Sequence, residues 1–175
     1  MKCMGILGLV VSLVGSIFAA YDNFPILNTL NNRYIPVCKQ WDNILGKIEP
    51  YTANSRMPIE KMQPFYTVER KNKEFDILLS IIISNKNIVP PNADKIIVSV
   101  SQINNGTRSG GSVILANDHQ QWSVSTPDML MQWIKDFRKT WFLKWGLILI
   151  TIGTFIRIIK EIFLCKFSDT HRSSN

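Results

Sequence analysis

Two long apolar stretches, one towards each end, constrain this chain of 175 residues more than any other feature. The first, MGILGLVVSLVGSIFAA over residues 4–20, follows Lys2 and carries no charge. It reads either as a secretory signal or as a membrane anchor. The short basic start fits a signal peptide, with cleavage tolerated after Ala19. Its 17 residues also reach the lower limit for a bilayer-spanning helix. If it is retained, Gly8, Ser12 and Ser16 fall at i, i+4 and i+8 on one face, where small residues let helices approach closely. In either case residues 21–140 are expected beyond the membrane.

The second stretch, WFLKWGLILITIGTFIRIIKEIFLC over residues 141–165, is uninterrupted from Trp145 to Ile156. Lys144 and Arg157 stand at the margins of that run, placed to snorkel to the interfaces. Residues 142–159 would make a helix of about 27 Å at about 1.5 Å per residue, which suits the thin bilayer of the endoplasmic reticulum. Trp141 and Trp145 form an aromatic belt on one side, and Arg157, Lys160 and Lys166 a positive cytosolic flank on the other. Arg157 and Glu161, four residues apart, are expected to pair on the helix surface. A helix buried in a protein core is the alternative reading. Residues 166–175 form a polar tail.

The net charge of +7 first suggests a nucleic-acid partner, but its distribution argues otherwise. Lys2, Lys144, Arg157, Lys160, Lys166 and Arg172 against Glu161 and Asp169 place +4 outside residues 21–140, leaving +3 on the middle of the chain. A nucleic-acid module concentrates its cations on the folded domain. Here they flank the apolar stretches, and no nucleic-acid partner is expected. A hydrophobic fraction of 46% is too high for a disordered chain, and three cysteines are too few for a disulfide-stapled miniprotein.

Between the ends, residues 21–62 carry turn signals at Pro25, Pro36, Gly46, Pro50 and Pro58 and predict irregular structure with a short helix near residues 39–48. From Phe65 the apolar residues alternate, the signature of strands. Strands are predicted over residues 65–70, 75–84, 95–103, 112–116 and 121–125. In the second of these Phe75, Ile77, Leu79, Ile81 and Ile83 fall on one face. Together they predict an antiparallel sheet or sandwich over residues 63–126. Thr126-Pro127-Asp128 then reads as a helix start: a Thr cap, Pro at the first position and an acid at the positive end of the dipole. Leu130, Trp133, Ile134, Phe137 and Trp141 recur at helical spacing after it. This amphipathic helix over residues 127–140 either lies on the bilayer surface or packs on the sheet. The fold class is therefore an α+β membrane protein, with an antiparallel β-domain between N-terminal and C-terminal hydrophobic helices.

The chemistry is sparse. Asn105-Gly106-Thr107 is a glycosylation sequon in a predicted hairpin loop, making Asn105 a candidate glycan site on a lumenal domain. Cys38 reads as a free thiol, an intermolecular bridge or a buried small hydrophobe. His119 adjoins Asp118, but neighbouring side chains of an extended segment point to opposite faces, which disfavours a relay. Glu69, Glu74 and Asp76 read as solvation of a strand face. No HExxH, paired-Cys spacing, Walker A or GxSxG sequence occurs. Neither catalysis nor a cofactor nor a metal is expected.

The succession EFDILLSIIIS, NIVPPN, KIIVSVSQ and SGGSVIL, followed by the apolar helical region, resembles the core of the seipin family over about residues 74–148. The resemblance implies a short or truncated homologue, homo-oligomeric and non-enzymatic, in the membrane of the endoplasmic reticulum. It further implies a role in organising lipid-droplet formation, with neutral lipid or phospholipid as partner. The lipid contacts it implies fall on Trp133, Phe137, Trp141, Phe142 and Trp145. The competing expectation is a single-pass membrane glycoprotein whose β-domain binds a protein partner.

Overall fold

The computed structural model describes residues 2–20, 36–53, 55, 57, 63–86, 92–100 and 111–172. They belong to two compact units: residues 30–138, and residues 1–29 with 139–175. The first is built on four antiparallel strands in the order β1-β2-β3-β4, namely Phe65–Glu69, Lys95–Ser99, Ser112–Ala116 and Gln121–Ser125. Val68 pairs with Ile96, Ile96 with Leu115 and Leu115 with Trp122, so one register row of apolar side chains crosses the whole sheet. β3 and β4 slip register between Val113 and Ile114, which leaves Val124 as the extra residue of a bulge. The turn between them is closed by Asn117, whose Oδ1 accepts from the backbone N–H groups of His119 and Gln120 at 2.9 and 2.7 Å.

Because side chains alternate along a strand, the sheet has one apolar face. Val68, Ile96, Val98, Val113, Leu115 and Val124 are buried there against three helices. Helix α2, Pro36–Ile48, contributes Ile44 and Ile48, and a 3-10 turn at Glu49–Tyr51 adds Tyr51. Helix α3, Lys73–Lys86, contributes Phe75, Leu78, Ile81 and Ile82, and the first turns of helix α4, which starts at Pro127, contribute Leu130 and Ile134. The opposite face carries Phe65, Thr67, Ile97, Ser99, Ser112, Ile114 and Ser123, with Phe65 54% exposed.

Helix α3 replaces the strand predicted over residues 75–84. The run is almost continuously apolar, so periods of 2 and 3.6 fit it alike, and its ends decide the outcome. Asn72 Oδ1 accepts from the Glu74 backbone N–H at 3.1 Å, capping the helix. Glu74 and Asp76 occupy its first turn and Lys86 its last, both favourable to the helix dipole. Ser80, Ser84 and Asn85 return their side-chain donors to carbonyls three or four residues back. Of the expected antiparallel sheet or sandwich of five strands, the described residues form the sheet, with four strands and helices on one face.

The other strands lie where alternation places them, β2 ending at Ser99. Residues 101–110, which include Asn105, lie outside the described residues, as do residues 21–35. The helix expected near residues 39–48 is α2. Helix α4 begins as its sequence predicts, with Thr126 Oγ1 accepting from the Met129 N–H at 3.3 Å. Of its two expected environments the first turns take the sheet: Leu130 and Ile134 are buried in the core, and Trp133 and Phe137 pack against it. The helix then runs unbroken through residues 127–172, so no helix boundary separates residues 127–140 from 141–165, and residues 166–172 of the expected polar tail are helical.

Two polar links tie this unit together. Glu74 is not a solvated strand carboxylate: Lys47 Nζ and Tyr66 Oη donate to it, each at 2.6 Å, and Asn43 Nδ2 at 3.2 Å, joining α2, α3 and β1. Burial pushes the Glu74 carboxyl up, but these donors outweigh it and hold the group below the usual carboxylate range. Burial first, and the Glu74 carboxylate second, push the Tyr66 hydroxyl well above its ordinary value. Nearby, Arg138 Nη1 pairs with Asp42 Oδ1 at 2.6 Å, while Trp41 and Phe137 meet edge to face at 6.2 Å. Cys38, one turn before Asp42, is fully buried, and burial raises its thiol despite Arg138. Of its three readings the structure shows two together, a free thiol packed as a buried small hydrophobe.

Two outcomes follow for stability. Leu78→Ala and Ile82→Ala should each cost about 2–5 kcal/mol in chemical denaturation, and Leu79→Ala, on the half-buried side of α3, clearly less. A strand would make Leu79 and Ile81 equally sensitive. Since Glu74 titrates lower folded than unfolded, its contribution is complete above the ordinary carboxylate pKa of about 4.3 and lost as pH falls through the folded value. Glu74→Gln should therefore lower the melting temperature at neutral pH and flatten its acid dependence.

Candidate functional site

The second unit pairs helix α1, Lys2–Ala19, with the part of α4 from Lys139 onward. The helices run antiparallel with their backbones in close approach at glycine. A Cβ on Gly8 would lie 2.8 Å from the Gly153 carbonyl oxygen, and one on Gly15 would lie 2.7 Å from that of Gly146. A Cβ on Gly146 would meet Ala19 N at 2.5 Å, and one on Gly153 would strike Ser12 Oγ. All four glycines are buried. Small-residue contact of this kind is how apolar helices associate where no hydrophobic force separates protein from solvent. Ser12 belongs to this seam as its spacing predicts, but Gly15 takes the place expected for Ser16, which is exposed and donates to the Ser12 carbonyl at 3.0 Å.

Away from the seam the surface is apolar. Leu7, Leu9 and Leu13 on α1, and Leu147, Phe155 and Ile162 on α4, are each more than half exposed. The hydroxyls of Thr151 and Thr154 donate to carbonyls four residues back, at 2.9 and 2.8 Å, so neither needs solvent. Among the described residues α4 is the one helix long and apolar enough to cross a membrane, and α1 is a shorter apolar helix.

The sequence-predicted lipid contacts divide. Trp133 and Phe137 lie in the sheet unit, packed on its core, with Lys86 Nζ 6.0 Å from the Trp133 ring centroid. Phe142 is 1% exposed, its ring 5.6 Å from that of Phe18, so it serves the helix pair and not its outer surface. Trp141 is half-buried, and Trp145, whose ring centroid lies 6.0 Å away, is 45% exposed. Of the five, Trp133 and Phe137 are thus partly buried against the sheet core, Phe142 is buried in the helix pair, and Trp145 is the most exposed. The larger outward surface is aliphatic, and weighting the aromatics concealed it. The equal seven-residue spacings Gly8–Gly15 and Gly146–Gly153 were the signal for the seam. The expected Arg157–Glu161 pair is also replaced, since Glu161 lies 3.4 Å from Lys160 Nζ.

Among the described residues no group of three His, Cys, Asp or Glu side chains could hold a metal ion. His119 is exposed in the turn between β3 and β4, and Asp118 beside it lies 4.0 Å from Lys95 Nζ. No protein-family model matches the chain, and no curated protein or solved structure matches it either.

Replacing Gly153 with Leu should separate the helix pair. The full chain in mild detergent should lose thermal stability by several degrees, whereas Leu13→Val on the outer surface should leave it within about a degree.

Proposed function

We propose that the protein is a non-catalytic membrane protein in which α1 and α4 form a two-helix anchor and the sheet unit stands beyond the bilayer. One observation carries this reading: the helix pair buries its glycines and exposes its large aliphatic side chains. In water that arrangement would present an apolar patch far beyond what soluble monomers tolerate, whereas in hydrocarbon it is the favoured one. The seam also gives α1 a role after insertion, which supports its retention. The spacing of Trp145 from Arg157 and Lys160 along α4 supports an aromatic belt at one end and a cationic flank at the other.

Within that reading, the more specific proposal is a seipin-like organiser of lipid droplets in the endoplasmic reticulum, assembling with further copies and contacting neutral lipid or phospholipid. Its support is the resemblance over about residues 74–148 together with the outward apolar surface. Because residues 74–84 form a helix, the resemblance rests on the later strands and the apolar helix. The second reading is a membrane glycoprotein whose β-domain binds a protein partner. It is favoured by the sheet face that no helix among the described residues of its unit covers, where Phe65 is exposed and Ile97 and Ile114 are half-buried.

Carbonate extraction of cell membranes should leave the protein in the pellet, and mass spectrometry of the mature chain should find the residues of α1 still attached. Release by carbonate would end the membrane reading, and cleavage after Ala19 would end the two-helix anchor. A monomer in mild detergent, with normal droplets in cells lacking the protein, would end the seipin-like reading. An endoglycosidase-sensitive mass shift abolished by Asn105→Gln would place the sheet unit in the lumen.

A further inference from the structure

Where the start of α1 meets the cationic part of α4 lies a groove of about 350 Å³ lined by Gly5, Ile6, Leu9, Arg157, Lys160 and Glu161. Its composition divides by position. Ile6 and Leu9 are exposed apolar walls, at 63% and 55%, while Arg157, Lys160 and Glu161 supply two cations against one anion. Gly5 makes room for the cation: Lys160 Nζ lies 3.0 Å from where a Cβ on residue 5 would stand, so the lysine stem is laid across the glycine. Glu161 takes up part of the charge of Lys160 at 3.4 Å. Arg157 is exposed and has no carboxylate within ion-pair distance among the described residues, although it lines this groove and a second one beside Ile158 and Ile162.

From this we infer that the groove binds the phosphate headgroup of an anionic phospholipid, with Arg157 and Lys160 on the phosphate and one acyl chain along Ile6 and Leu9. The surplus cation at the edge of an apolar surface selects a ligand that is anionic at one end and apolar at the other. Arginine's fixed fork of donors suits phosphate oxygens, and lysine adds a point charge. A phosphatidylcholine headgroup carries its own cation and gains less from the pair. A soluble anion would satisfy the charges but leave Ile6 and Leu9 uncovered. Glu161, at the rim, disfavours a second anion and limits the groove to one headgroup.

This inference rests on the membrane reading, and its test separates the two. The full chain is reconstituted into nanodiscs of phosphatidylcholine with and without phosphatidylglycerol, and retained lipids are counted by native mass spectrometry. The expected result is selective retention of phosphatidylglycerol, weakened about fivefold by Arg157→Gln or Lys160→Gln and about thirtyfold by the two together. Gly5→Leu, which displaces the lysine stem without changing charge, should weaken it also, whereas Lys144→Gln near the opposite interface should have no effect. Equal retention by the double variant would overturn the inference, as would equal loss with Lys144→Gln, which would mean a diffuse charge effect. Release of the lipid by millimolar inorganic phosphate would overturn it as well, assigning the site to a free anion. Failure of the unmodified chain to insert into either nanodisc would instead overturn the membrane reading itself.

Discussion

A four-stranded sheet with one apolar face cannot stand in water uncovered, and the sheet unit is organised around that requirement. Among the described residues three helices from separate parts of the chain meet the requirement, and Glu74 is where two of them, α2 and α3, are tied to the sheet. Its carboxylate is shared by a lysine and an asparagine of α2 and a tyrosine of β1, while its backbone N–H is capped by Asn72 at the entry to α3. A largely buried carboxylate is costly unless every acceptor site finds a donor. Here the donors come from two other elements, so the charge is tolerated only when α2, α3 and β1 are all in place. That makes it a cooperative lock as well as a source of energy. The Arg138–Asp42 pair joins α2 to α4 at another point of the unit.

Much of this was legible in the residues. The alternation in residues 65–70, 112–116 and 121–125 marks strands because a half-buried sheet demands it, and Thr126-Pro127-Asp128 marks a helix start because capping, proline geometry and dipole agree. α3 was not legible from periodicity, since a run such as ILLSIII is apolar on every face and carries no phase information. The cap at Asn72 and the acids after it held the missing information, but Lys71-Asn72-Lys73 reads equally well as a hairpin turn. Glu74 was misread for the same reason: on a strand it would alternate into solvent, and on the first turn of a helix it points back over Tyr66.

The helix pair shows a different limit. Its apolar character and flanking charges are plain in the sequence, as is the small-residue face of α1. Which aromatics would be outward was not, because Trp133 and Phe137 share the i, i+4 spacing of Trp141 and Trp145 while facing different neighbours along one continuous helix, and Phe142 is turned about 100° from that row. Helical spacing shows which residues share a face of α4, but the neighbour that face meets changes between its first turns and its later ones.

The glycine seam has a consequence for length. Gly8 and Gly15 are two helical turns apart, as are Gly146 and Gly153, and the contacts join Gly8 to Gly153 and Gly15 to Gly146. A pair of combs with two missing teeth each can close fully in only one alignment. Sliding by two turns would seat one notch and leave the other against a bulky side chain. Adding one residue between Gly146 and Gly153 would turn one notch about 100° away from its mate. The two helices are therefore gauged to each other to the residue, in a stretch whose composition alone would suggest that any apolar filler would do.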